Sequence, residues 1–162
     1  MNGLFDISEA LSIALHLCVR LAQQPDRFCS TRTVAEEFDF SSHHVAKVVQ
    51  KLVRGGVVET VRGIQGGARL KRKAAEITLM DIAEAIGEPP PEGCLLSKKV
   101  CSGKRCLLGR FIHEQSQRMS GILRETTLQT IADSLQAEAG ASRASHSKNP
   151  GDRDHEAQHR RD

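Results

Sequence analysis

Three of the five cysteines of this chain lie close together, at Cys94, Cys101 and Cys106. The segment that carries them, GCLLSKKVCSGKRCLLG, has almost no hydrophobic pattern of its own. Three thiols are one ligand short of a tetrahedral metal site, and an odd number cannot pair completely into disulfides. The segment therefore predicts a metal or redox site that takes its fourth partner from elsewhere.

The same segment is rich in cations, with Lys98, Lys99, Lys104 and Arg105 among the cysteines. Nearby cations favour the thiolate form and offset the negative charge of a cluster. Thiolates are soft ligands that match iron in iron-sulfur clusters. The pattern favours an iron-sulfur cluster, 2Fe-2S or 4Fe-4S, and leaves a zinc site and a cluster-free thiol switch as alternatives.

The composition favours a small cytoplasmic protein built from helices. Among 162 residues 39% are hydrophobic, but there are five Phe and no Trp or Tyr, so Leu, Val, Ile and Ala must form the core. The opening MNGLFDISEA carries acidic groups where a signal peptide needs positive charge, and no apolar run approaches a membrane span. In the reducing cytosol, cysteines serve as metal ligands or redox groups more often than as bridges.

A helical repeat of apolar residues begins in SEALSIALHLCVRLAQQ, where such residues recur at steps of three and four. Cys18 falls within this repeat, and Cys29 lies near the start of the next helix. A buried thiol is usually inert. We therefore expect both to pack as small hydrophobic side chains.

The stretch CSTRTVAEEFDFSSHHVAKVVQKLVRGGVVETVRGIQGGARLKRK predicts a winged helix-turn-helix. Ser30 is placed to cap a short helix, RTVAEEF, and after a turn at Asp39 and Phe40 either Ser41 or Ser42 caps a second. The second helix has one face of valine and leucine and one polar face. VVETV then predicts a strand that returns through IQGG into ARLKR. Two helices at a tight turn, followed by a basic hairpin, make up this motif.

The second helix and the hairpin predict contacts with double-stranded DNA. A recognition helix presents its first side chains to base edges in the major groove, while cations behind them meet phosphates. Glycines and arginines at a wing tip suit the adjacent minor groove. The alternative is an amphipathic helix whose cations are only solvated. The predicted contacts are Ser41, Ser42, His43, His44, Lys47, Lys51, Arg62, Gln65, Gly66, Gly67 and Arg69.

The segment LVRGGVVETVRGIQGGARL, followed by ITLMDIAEAIG and the three-cysteine loop, closely resembles the Rrf-two family of bacterial winged-helix transcription regulators. The resemblance covers about residues 4 to 136. It implies a homodimer that binds palindromic promoter DNA as a repressor and, in the cluster-bearing branches, responds to nitric oxide, oxidants or cluster status. The spacing C-x6-C-x4-C departs slightly from the family's more even spacing.

The family resemblance also supplies candidates for the fourth ligand. In the cluster-regulator branch a histidine follows three residues after the last cysteine, but that position here is Gly109. In the nitric-oxide-sensitive branch an acidic residue of the first helix of the other subunit completes the site, and the matching residue is Glu9. Asp6 and His113 are the next candidates for the fourth ligand if Glu9 does not supply it. Glu9 as a plain surface carboxylate remains the alternative.

The expected architecture is mainly α with a small β-hairpin wing, in four parts. A winged helix-turn-helix domain covers 1–87, a cysteine-rich loop 88–106, a dimerisation helix with a short terminal helix 107–136, and a disordered tail 137–162. Thr78 and Asp81 predict a capped helix in LMDIAEAIG that Gly87 ends. Nothing resembles a catalytic constellation, so we expect no enzyme activity, and a zinc-stabilised protein-interaction module is the main alternative function.

The predicted tail contains no apolar residue larger than alanine after Ala139 and cannot bury enough surface to fold. For the same reason we expect no specific metal site from its histidines, His146, His155 and His159.

Overall fold

The computed structural model describes residues 7–25, 27–63, 66–90 and 106–146, with side chains to residue 138. Six α-helices and one antiparallel hairpin lie in this part of the chain, which confirms the predicted fold class. The helices are α1 (Glu9–Ala22), α2 (Thr31–Glu37), α3 (Ser42–Arg54), α4 (Leu79–Ile86), α5 (Leu107–Glu125) and α6 (Leu128–His146). The strands are β1 (Val58–Val61) and β2 (Gly67–Leu70), and a short 3-10 turn that the sequence did not suggest spans Ala74–Glu76.

Side-chain caps fix where most of the helices in the DNA-binding part begin. Ser8 Oγ accepts a hydrogen bond from the Leu11 amide at 3.0 Å, and Ser30 Oγ accepts one from Thr33. Thr78 and Asp81 form the predicted capping box at α4, and Gly87 ends that helix in the left-handed conformation. These local caps explain why the observed bounds lie close to the predicted ones.

The turn between α2 and α3 is tight. Asp39 adopts a positive φ of 55°, a conformation that Asp tolerates better than most residues. The Phe40 amide then donates to the Ala35 carbonyl at 2.8 Å, which closes the turn. This geometry sets the direction in which α3 leaves the turn.

The core is aliphatic, as the composition predicts. It joins α1 to the helix-turn-helix, the hairpin, α4 and the first turns of α6. Its largest fully buried side chains are Ile13, Leu17, Leu21, Leu52, Ile77, Ile82, Leu128, Val34, Val45, Val57 and Val58. Cys18 is also fully buried in this core.

The hairpin, or wing, pairs Val58 with Leu70 and Val61 with Gly67. It is tied to the segment before α2 by two hydrogen bonds of 2.9 Å, from the Cys29 amide to the Ala68 carbonyl and from the Ala68 amide to the Cys29 carbonyl. A side-chain carbon on Gly67 would lie 2.3 Å from the Cys29 carbonyl oxygen. Only glycine fits this close backbone approach.

The carboxyl-terminal helices differ partly from expectation. The long amphipathic helix predicted after the cysteines is α5. Helix α6, however, continues to His146, beyond the point at which the disordered tail was expected to begin at residue 137. The sequence of this extension is rich in alanine, whose helix propensity is high without any burial. Residues 147–162, including His155 and His159, lie outside the described part.

The chain divides into two compact units, Met1–Ala132 and Asp133–Asp162.

In the residues that the structure describes, no helix has the length and apolar character that crossing a membrane requires.

Candidate nucleic-acid interface and metal ligands

The amino-terminal end of α3 presents an exposed polar surface. Ser41, Ser42, His43, His44 and Lys47 are all exposed there. Ser41 occupies the N-cap position without a capping hydrogen bond from its side chain, so its hydroxyl is not used to begin the helix. Hydroxyls, imidazoles and an ammonium group at this end match the chemistry that contacts bases and phosphates.

Lys51 differs from the other predicted contacts on α3. It is half-buried, and its Nζ donates a 2.9 Å hydrogen bond to the Ile86 carbonyl at the end of α4. A cation at a helix carboxyl terminus stabilises the unpaired carbonyls there. The structure thus gives Lys51 a packing role between α3 and α4 in addition to its predicted DNA contact.

The two arginines of the wing also have different environments. Arg62 is exposed and has no partner among the described residues. Arg69 Nε lies 2.5 Å from Glu59 Oε1 across the hairpin, and its guanidinium lies 4.6 Å from the centre of the Phe28 ring. Arg62 is therefore the wing cation that the described structure leaves available. Gln65 falls outside the described residues.

The wing glycines allow close backbone contacts within this chain. A side-chain carbon on Gly66 would lie 2.4 Å from the Val61 carbonyl, and Gly67 approaches Cys29 in the same way. The close approach that the sequence predicts for these glycines is thus one between segments of this chain. Their contact with DNA stays a prediction.

Cys106 is the one predicted cysteine ligand within the described residues. It is half-buried at the N-cap of α5, where its sulfur accepts a hydrogen bond from the Gly109 amide at 3.3 Å. The partial positive charge of a helix amino terminus attracts anions, and a metal-bound thiolate is one. Cys94 and Cys101 lie outside the described residues.

The candidates for the fourth ligand are distributed between α1 and α5. Glu9 is the first residue of α1, and its Oε2 lies 3.1 Å from the Nδ1 of His44 in the first turn of α3. His113 is exposed on α5, and Asp6 lies outside the described residues. Within the described ranges, no group of three or more His, Cys, Asp or Glu side chains is arranged to hold a metal ion.

The two remaining cysteines behave largely as expected. Burial raises the pKa of the Cys18 thiol from 9.0 to about 12, so this group stays protonated and packs as a small apolar side chain. Cys29 is half-buried, and its sulfur lies 3.6 Å from Gln24 Oε1. The expectation for Cys18 is confirmed, whereas Cys29 also makes a weak polar contact.

Sequence reasoning missed the pairs that connect distant parts of the chain. The contacts of Glu9 with His44, of Lys51 with Ile86 and of Arg69 with Phe28 join residues on different elements. No spacing rule within one helix or strand reports such pairs. The sequence shows only that the partners are chemically complementary: a carboxylate and an imidazole, an ammonium and a carbonyl, and a guanidinium and an aromatic ring.

Comparisons with known proteins agree with the fold. The family model described as Rrf2, iron-dependent transcriptional regulator, matches residues 7–134. The HTH-type transcriptional regulator NsrR of Geobacillus kaustophilus is 31% identical over 111 residues, which cover 67% of this chain and 74% of that protein. The HTH-type transcriptional regulator BadM of Rhodopseudomonas palustris is 37% identical over 76 residues, and these span only 49% of its length and 47% of this chain.

Solved structures show the same architecture. CymR, the global cysteine regulator of B. subtilis, superposes with a TM-score of 0.68 at 23% identity and covers 80% of this chain and 98% of its own. IscR of T. potens gives a TM-score of 0.66 at 20% identity, with 81% and 88% covered. At these identities the likeness establishes the fold alone. With the family model matching most of its length, this chain belongs to the Rrf2 family of transcriptional regulators, which are DNA-binding proteins and not enzymes.

Proposed function

We propose that this chain is a cytoplasmic, homodimeric repressor that binds palindromic promoter DNA and responds to nitric oxide or oxidants through an iron-sulfur cluster. The observation that carries the DNA-binding part is the surface at the start of α3, where five predicted contact residues are exposed together: Ser41, Ser42, His43, His44 and Lys47. The wing adds an exposed arginine, Arg62, on the neighbouring element.

The homodimer is supported by α5. Although this helix packs against α4 and buries Ser116, it leaves large apolar side chains exposed. Exposed apolar faces of this kind mark contact surfaces between subunits. The exposed side chains are Leu107, Leu108, Phe111, Met119 and Ile122. We expect Ile122→Asp to convert the dimer to monomer in sedimentation velocity, with Arg124→Asp on the same helix as the control.

The proposed cluster ligands are Cys94, Cys101, Cys106 and Glu9. The donor set fits the group, because three thiolates and one carboxylate are all anionic ligands for iron, and Cys106 already presents its sulfur at a helix amino terminus. A bound cluster would supply iron that reacts with nitric oxide or oxidants. Glu9 would come from the partner subunit, and a carboxylate is the weakest ligand of the four.

The colour of anaerobically purified protein tests the cluster. Visible absorbance at about 300–450 nm, lost in Cys94→Ala, Cys101→Ala and Cys106→Ala but kept in Cys18→Ala and Cys29→Ala, supports the proposal. Colourless protein with one zinc per chain would instead favour the zinc-stabilised module. Colourless protein without metal would favour a cluster-free thiol regulator.

The role of Glu9 needs a separate experiment. We expect Glu9→Ala to keep a more labile cluster on three thiolates and to bind the operator less tightly or respond less to nitric oxide. Mobility-shift titrations with and without nitric oxide measure this under anaerobic conditions. Binding curves and responses identical to those of the parent would exclude Glu9 and move attention to Asp6 or His113.

A further inference from the structure

A stripe of exposed polar side chains runs along almost the whole of α3. His43, Lys47, Gln50 and Arg54 follow one another at steps of four, three and four residues, which places them on one face of the helix, and all of them are exposed. Only the first half of this stripe, His43 and Lys47, belongs to the DNA contacts predicted from the sequence. The stripe therefore continues for about two helical turns beyond those contacts.

The second half of the stripe borders a groove between α3 and the wing. Gln50 and Arg54 lie on its α3 side, Thr60 of β1 lies on its wing side, and Val49 and Val53 add apolar surface. The groove encloses about 310 Å³. This is roughly the volume of ten water molecules, so a deoxyribose with its phosphate can enter. None of these lining residues carries a negative charge that would repel a phosphate.

Arg54 is anchored to its own helix through one nitrogen of its guanidinium. Its Nε donates to the Gln50 carbonyl at 3.3 Å, and its two terminal nitrogens have no partner among the described residues. Such paired N–H groups match the oxygens of a phosphate. The other cation of this half of α3, Lys51, is bonded to the Ile86 carbonyl on α4. Arg54 is therefore the cation of the two that is available to a ligand in the groove.

The dimensions of α3 and of DNA decide what this groove meets. The thirteen residues of α3 span about 20 Å, whereas the major groove is about 12 Å wide. A helix that enters the major groove with its first turn therefore carries its last turn outward to the bordering backbone. The wing is expected in the adjacent minor groove, and one backbone strand separates the two grooves. That strand has to pass between α3 and the wing.

We propose that the groove between α3 and the wing seats this sugar-phosphate backbone, with Arg54 and Thr60 as positioning residues that hold one phosphate. Arg54 pairs with the phosphate from α3, and the Thr60 hydroxyl donates to it from β1. Val49 and Val53 contact the neighbouring deoxyribose. Contacts of this kind fix the register of a protein on the duplex without reading a base. The inference rests on the DNA binding in the proposed function, and it does not depend on the cluster.

Two variants of the full-length protein test the proposal, with a palindromic duplex that the protein selects from a random-sequence pool as the probe. Arg54→Ala should weaken binding about tenfold, alike for this duplex and for duplexes with changed bases, and reduce the slope of log affinity against log salt by about 1. Thr60→Val keeps the shape of the side chain but removes the hydroxyl. It should weaken binding about threefold and leave the salt slope unchanged, because no charge is lost. Arg124→Ala on α5 is the control and should change neither quantity.

Neutral phosphates locate the contact on the DNA. Each phosphate of a half-site is replaced in turn by an uncharged methylphosphonate, and fluorescence anisotropy measures the affinity. At one phosphate between the two grooves the parent should lose about tenfold in affinity, whereas Arg54→Ala should lose nothing further there. This comparison separates a direct contact from a structural effect of the variant, because a structural effect does not depend on the charge of one phosphate.

Several outcomes would overturn the proposal. Equal losses in the parent and in Arg54→Ala at every phosphate would do so, as would a loss in Arg54→Ala that depends on one base pair. Conversion of either variant to monomer in sedimentation velocity would make the groove a subunit contact instead. If Lys47→Ala and Arg62→Ala weaken binding but Arg54→Ala and Thr60→Val do not, this proposal fails and the DNA-binding function stands. If the protein selects no duplex, or none of the four variants changes binding, the proposed function fails as well.

Discussion

The hydroxyl of Ser8 donates a hydrogen bond to the carboxylate of Glu88, although the two residues are separated by 80 positions in the chain. The same oxygen accepts the Leu11 amide and so caps α1. Glu88 follows α4 and leads into the segment that contains Cys94. The start of α1, which carries Glu9, is therefore linked to the end of α4 within one chain.

Replacing Ser8 should lower stability, because both of its hydrogen bonds are lost. Removal of a serine cap costs about 0.5–2 kcal/mol in the free energy of unfolding, and Ser8→Ala should fall in this range by urea denaturation. Ser41→Ala is the matched variant, since Ser41 occupies an N-cap position without a capping bond. It should leave the unfolding free energy nearly unchanged and weaken operator binding instead. Equal stability losses in the two variants would contradict this distinction.

Alanine variants of the two lysines of α3 should affect different properties, DNA affinity for one and folding stability for the other. Lys47 is exposed, so Lys47→Ala should weaken binding to all sequences and reduce the slope of log affinity against log salt by about 1. Lys51 bonds the Ile86 carbonyl, so Lys51→Ala should lower the unfolding free energy by about 1 kcal/mol. Fluorescence anisotropy across a salt series and urea denaturation measure the two effects. A larger salt-slope change in Lys51→Ala than in Lys47→Ala would reverse our assignment.

Arg62 should contribute more to operator binding than Arg69. A groove-inserted arginine typically contributes about 1–3 kcal/mol, and Arg62→Ala should lose an amount in this range while the dimer and any cluster absorbance persist. Arg69→Ala should lose less affinity, because the side chain is already engaged by Glu59 and Phe28. Arg124→Ala, outside the wing, controls for the loss of one positive charge. Unchanged affinity of Arg62→Ala at moderate salt would exclude the wing contact.

Stability should decrease at alkaline pH partly through Cys18. Its folded pKa is raised by burial from 9.0 to about 12, so above pH 9 the unfolded chain releases a proton that the folded chain keeps. The stabilising contribution is complete below pH 9 and is lost as the pH rises towards 12, at a slope of at most about 1.4 kcal/mol per pH unit. Denaturation of Cys18→Ala should show a shallower decrease across this window than the parent. Val34→Ala, which truncates another buried core side chain without an ionisable group, is the control and should keep the pH dependence of the parent.

Structural features that depend only on residues close together in the chain were predictable from the sequence. The caps at Ser30 and Thr78, the glycine stop at Gly87 and the apolar face of α3 depend on residues within one or two helical turns of each other. Helix α6 runs past residue 137 because alanine favours the helix even where no apolar surface is buried. The roles of Lys51 and Arg69 were incomplete because a cation's partner depends on tertiary packing. A basic side chain on a DNA-facing element looks the same in sequence whether or not it already has a partner.

The paired hydrogen bonds between Cys29 and Ala68 also affect how the protein opens. Amide protons exchange with solvent when their segment unfolds locally, and segments that share hydrogen bonds open as one unit. Since the wing and the residues preceding α2 hold each other at this point, their amides should exchange at similar rates. A wing of only two short strands would otherwise fray separately. Its protection therefore depends on the helix-turn-helix that it flanks.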